Sequence, residues 1–154
     1  SQRMLDLMIK KVKREDYIKS AKVLADLGIE MYASMMFAMP RETVADLKES
    51  ISLMHLMKKA NPNILLANNI FLPLPDTNMF KHAVALGYKP PTTLKGWSER
   101  LATSVFEERP DVTWFKKSDL EEYIKVYNGE FGETRFAFER ERTGEYTSPM
   151  HEIQ

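Results

Sequence analysis

Two apolar runs decide most of what this chain can fold into. Met31 to Met39 is apolar at every position but Ser34, and Ile64 to Leu72 at every position but Asn68 and Asn69. Neither run alternates, so both read as strands covered on two faces, as in parallel sheets packed between helices. Between them Val44, Leu47, Ile51 and Met54 recur at helical spacing. Thr43 caps that helix, with Asp46 three residues on in an approximate capping box, and Asn61-Pro62 ends it. Strand, helix, strand in one short stretch predicts a right-handed βαβ unit with parallel strands.

The flanks extend this alternation. Met4, Leu5, Met8 and Ile9 share a helical face over residues 3–10, and Tyr17, Ile18, Ala21, Leu24 and Ala25 do so between Arg14 and Leu27. Gly28 stands where a left-handed cap belongs. Pro73 to Thr77 forms a turn into a short helix, residues 78–86, closed by Gly87. After Pro90-Pro91 the character changes, and aromatic residues crowd the stretch from Trp97 to Tyr146. A helix over Leu94–Val105 and another from the Ser118 capping box are predicted there, with RFAFE the one further candidate strand. The chain therefore divides into residues 1–91 and a helical, aromatic-rich C-terminal extension, 92–154.

Composition excludes several functions. Lysine plus arginine and aspartate plus glutamate are equal, at 22 each, which leaves no basic face for nucleic acid or an anionic membrane. No apolar run approaches the roughly 20 residues that span a bilayer. The charged, amphipathic start is no secretory signal, so a cytoplasmic setting is expected. The absence of cysteine excludes a disulfide scaffold, a thiolate zinc site and a cysteine nucleophile in this chain. His55, His82 and His151 do not make a ligand set. The chain opens on Ser1. Either an initiator methionine has been trimmed before a small residue, or this is a piece of a longer protein.

Three junctions resemble one family. SQRMLDLMIKK is similar to the segment after the fourth strand of radical S-adenosylmethionine (radical SAM) enzymes. MMFAMPRETVADL resembles their fifth-strand exit, usually Gly-x-Pro-Gly-Glu-Thr, and IFLPLPDTNMFKHAVALGYKPP their sixth-strand exit, Pro-x-Pro-Gly-Thr. The resemblance covers residues 1–97 and is strongest to the branch with an upstream cobalamin-binding domain, which includes anaerobic magnesium-protoporphyrin IX monomethyl ester cyclases and related Fe-S oxidoreductases. It implies an α/β fold: a fragment of a partial (β/α)6 TIM-like barrel, contributing two parallel strands with their flanking helices.

The resemblance also implies a site. Ala38, Pro40, Glu42, Leu72, Pro73 and Leu74 would lie beside S-adenosylmethionine. Asn68 or its neighbour Asn69 would face the barrel lumen, since adjacent strand residues point opposite ways. The family's three-cysteine loop, which holds a four-iron four-sulfur cluster, is missing. Ala38 and Arg41 replace the two glycines of the fifth-strand motif. The methyl of Ala38 narrows the room for an adenosyl group, and Arg41 disfavours a left-handed turn. The implied parent is a radical SAM oxidoreductase or methylase with S-adenosylmethionine and an iron–sulfur cluster, joined by cobalamin where the parent carries that branch's upstream domain. No cofactor is expected on this chain alone, and its expected partners are the missing N-terminal part of the same enzyme and further copies of itself. Exposed strand edges and faces would drive that self-association, with Met35 and Phe37 among the side chains needing cover. The alternative is a self-standing α/β interaction module without catalysis.

Overall fold

The computed structural model describes residues 1–102 and, beyond them, Trp114, Lys116, Ser118, Glu121, Glu122 and Lys125. The elements in order are α1 (Gln2–Leu7), α2 (Arg14–Asp26), β1 (Tyr32–Phe37), α3 (Val44–Ala60), β2 (Leu65–Ile70), α4 (Asn78–Ala85) and α5 (Leu94–Ala102). The two strands pair in parallel, in register from Tyr32 opposite Leu65 to Phe37 opposite Ile70. A mixed α/β fold with a parallel βαβ unit is therefore present. The first helix is shorter than its apolar pattern. Ile9 turns left-handed at φ 59° and Lys10 donates back to the Leu5 carbonyl at 2.9 Å, so α1 stops at Leu7. Ser118, Glu121, Glu122 and Lys125 are helical, whereas RFAFE lies outside the described residues.

Among the described residues, helices cover one face of the sheet. Ala21 of α2, Leu53 and Met57 of α3, and Ile64 bury one another there, with Ala33 and Leu66 of the strands packed against them. Met35 and Phe37 share Ala33's side of β1, and Phe37 is fully buried. The opposite face carries Tyr32 at 61%, Met36 at 41% and Leu65 at 52% exposure. Continuous apolar runs thus predict cover on two faces, and one face lacks it among the described residues. Met35 and Phe37 are accordingly not the side chains in need of cover; Tyr32, Met36 and Leu65 are. A second cluster, Met4, Met39, Phe71 and Met79, sits at the carboxyl ends of the strands, with Leu7, Met8 and Trp114 packed against it. It ties α1, both strand exits and α4 together.

Candidate functional site

The carboxyl ends of β1 and β2 emerge side by side, because the ladder continues past the strands: the Phe71 N–H donates to the Phe37 carbonyl at 2.8 Å. Each exit then uses the same device of a proline turn, a residue in the left-handed region and a threonine cap. At β1 the left-handed residues are Ala38 (φ 57°) and Arg41 (φ 65°); at β2 the residue is Asp76 (φ 64°). Arg41 thus accepts the conformation expected to exclude it. Its carbonyl receives Arg3 Nη2 at 2.7 Å, and the next N–H, of Glu42, closes onto the Met39 carbonyl at 3.0 Å. These bonds hold a turn that local preference opposes, at a cost of about 1 kcal/mol.

Two carboxylates stand at the β1 exit in opposite conditions. Asp46 lies in the first turn of α3 and is saturated with donors. It receives Arg3 Nε at 3.0 Å and Arg3 Nη2, Ser1 Oγ at 2.6 Å, and the Thr43 N–H and hydroxyl at 2.9 and 2.6 Å. Burial pushes its pKa up, but these bonds outweigh that and hold it well below the usual carboxylate range. The same bond raises the pKa of Arg3. Thr43 and Asp46 complete the capping box that starts α3.

Glu42 is 8% exposed. Its Oε2 accepts the Met39 N–H at 3.0 Å, while its buried Oε1 has no hydrogen-bond partner among the described residues. Burial pushes its pKa up to about 7, and the nearby Asp46 charge adds to the rise, against the pull of the Met39 N–H. A carboxyl poised this way can hold or release a proton near neutrality.

Among the sequence-predicted residues, Ala38, Pro40, Glu42 and Pro73 are buried, Leu72 is half-buried, and Leu74 is 47% exposed. The structure gathers them at one end of the sheet, with Leu72 and Leu74 as the side chains still open to a ligand. The Asn68 side chain lies outside the described residues. Asn69 faces the bare side of the sheet and donates to Ser34 Oγ at 2.7 Å across the two strands. The sequence pattern missed Arg3, whose part depends on a contact 43 residues away. The crowding of aromatic residues from Trp97 to Tyr146 does not single out Trp114 as a strand-exit residue. Trp114 sits at the strand exits, where its indole N–H donates to the Ala38 carbonyl at 2.9 Å.

No protein-family model matches the chain, and no curated protein or solved structure matches it either. The donor set of this chain does not fit an iron–sulfur cluster, since no thiolate is present. Among the described residues, no helix is long and apolar enough to cross a membrane.

Proposed function

We propose that this chain forms the C-terminal part of a radical SAM-type barrel, lending one wall of the S-adenosylmethionine and substrate site and inactive by itself. The observation that carries this reading is backbone geometry. Ala38, Arg41 and Asp76 stand where the resembled junctions have glycine, and all three hold positive φ on adjacent parallel strand exits. A turn that keeps the glycine conformation after losing glycine is one whose shape matters. The bare face with Tyr32, Met36 and Leu65 suits the inside of a wall that other strands complete.

In this reading Leu72 and Leu74 supply the apolar surface for the adenine, and the Asn69–Ser34 pair a polar patch toward the substrate. Glu42 and the two buried prolines shape the platform from beneath. The cluster and its reductive chemistry would come from the missing part, and any cobalamin would bind there too. Strands of that part would pair with the free edge of the sheet, and in its absence copies of this chain would associate through the same face.

The deciding experiment is to read the DNA upstream of the Ser1 codon. A reading frame running back to a three-cysteine loop is expected. A start codon at that point would overturn the proposal and favour the self-standing interaction module. Anaerobic reconstitution with iron and sulfide gives the biochemical counterpart. The chain should retain no cluster after desalting, and stoichiometric iron and sulfide would contradict the assignment of the cluster to the missing part.

A further inference from the structure

One peptide group at the β1 exit is gripped from both sides. The carbonyl of Ala38 accepts the indole N–H of Trp114 at 2.9 Å, and the N–H of the next residue, Met39, donates to Glu42 Oε2 at 3.0 Å. These are the two polar ends of a single planar unit. It follows a residue with φ 57°, in a region that alanine seldom visits. Trp114 is itself held edge-on by Phe71, at 6.4 Å and 70°, and by Tyr88, at 6.1 Å and 79°. It also packs on the cluster of Met4, Met39, Phe71 and Met79.

Ala38 and Met39 are both buried, so neither polar end has easy recourse to water. Removing the indole N–H leaves a buried acceptor unmet, and the relief open to the backbone is to rotate the peptide. That rotation withdraws the Met39 N–H from Glu42. The two side chains are thus coupled through the plane they hold, although one belongs to the turn and the other to the C-terminal extension.

We infer that Trp114 is a positioning residue of the strand-exit site: with Glu42 it fixes the Ala38–Met39 peptide, which makes the extension a working part of that site. The inference stands on the two hydrogen bonds and is independent of which ligand the edge receives. The other charges around Glu42 are the Asp46 carboxylate, the Ser1 amino group and the Arg3 guanidinium paired with Asp46. None of them touches Trp114 in the described contacts, so the coupling can be read separately from them.

The test uses the full chain and NMR. In a Trp97→Phe background, which leaves Trp114 as the one indole, the Nε1 proton resonance is followed while the Glu42 side-chain carboxyl is titrated. The indole signal should move with the Glu42 midpoint and become flat across that range in Glu42→Gln. A Trp114→Phe variant keeps the ring and loses the donor. It should speed exchange of the Met39 amide by about tenfold, the worth of one net hydrogen bond. It should also raise the Glu42 midpoint, because the Met39 N–H no longer favours the ionised form. An indole resonance indifferent to Glu42 would overturn the inference. So would a Trp114→Phe chain that is less stable but has an unchanged Met39 amide and Glu42 midpoint, since Trp114 would then only fill space. If Trp114→Phe fails to fold, the indole titration in the Trp97→Phe chain still decides.

Discussion

The two strand exits are built to one plan and secured in different ways. After β1 the chain runs through Pro40 and left-handed Arg41 to the cap Thr43; after β2 it runs through Pro73, Pro75 and left-handed Asp76 to the cap Thr77. Each threonine accepts an N–H from the third residue on, Asp46 in one case and Phe80 in the other. The first exit is then roped to α1 by Arg3 and Ser1 and holds two buried carboxylates. The second keeps Asp76 exposed and has its threonine hydroxyl donating to the Leu74 carbonyl at 2.8 Å. Similar turn chemistry can therefore be stabilised locally or by distant residues. The distant way concentrates charge, and with it sensitivity to pH and mutation.

The largest effect should come from cutting the rope. Asp46→Ala removes the capping box and leaves the half-exposed Arg3 without its partner, which should cost about 2–3 kcal/mol. Thr77→Ala at the other exit removes only a cap and should cost about 1 kcal/mol. Urea denaturation of the two variants measures the contrast, and equal losses would break it.

Acidity should separate the exits next. The folded-state pKa of Glu42 is raised from its ordinary 4.5 to about 7, so the folded protein binds the proton more tightly than the unfolded chain. That contribution is fully present below about pH 4.5, declines as pH rises, and is gone above about pH 7, a loss of up to about 3 kcal/mol. Asp46 works in the opposite sense. Its depressed pKa gives stability that is present above the ordinary carboxylate value and is lost as pH falls through and below it. Thermal melts of Glu42→Gln should therefore lose the decline between pH 5 and 7, while keeping the fall at acid pH. A wild-type decline that persists in Glu42→Gln would assign it to another group.

Smaller effects follow from the left-handed residues. Arg41→Gly relieves a conformation arginine resists and should stabilise by about 0.5–1 kcal/mol, partly offset by the freer unfolded chain. Asp76→Gly should gain less, because aspartate tolerates this region better. A loss at Arg41→Gly would mean that the arginine side chain contributes more than its backbone strain costs. Smallest of all, Met36→Lys on the bare face should change monomer stability by less than about 0.5 kcal/mol. It should also lower the particle size in light scattering if copies associate there.

Much of this was legible in residue order. The apolar runs announced β1 and β2, Gly28 marked the end of α2, and Thr43 with Asp46 marked the start of α3, because caps and periodicity act within a few residues. Strand parity was less legible. A run apolar at nearly every position cannot say which set faces the helices, so Met35 and Phe37 were as eligible for the open face as Tyr32 and Met36. Arg41 misled for a related reason: preference at a single residue yields when distant donors fix the carbonyl it presents.

What the sequence by itself determined is the βαβ order, the turn positions and the absence of any thiolate chemistry. These follow from local sterics, hydrophobic period and composition. Only the tertiary structure decided that Arg3 serves Asp46, that Glu42 is buried with one oxygen unmet among the described residues, and that Trp114 reaches the Ala38 carbonyl 76 residues away. Burial and partner choice set the charge and proton affinity of these groups. Both arise from segments that meet only when the chain closes on itself, so no local pattern records them.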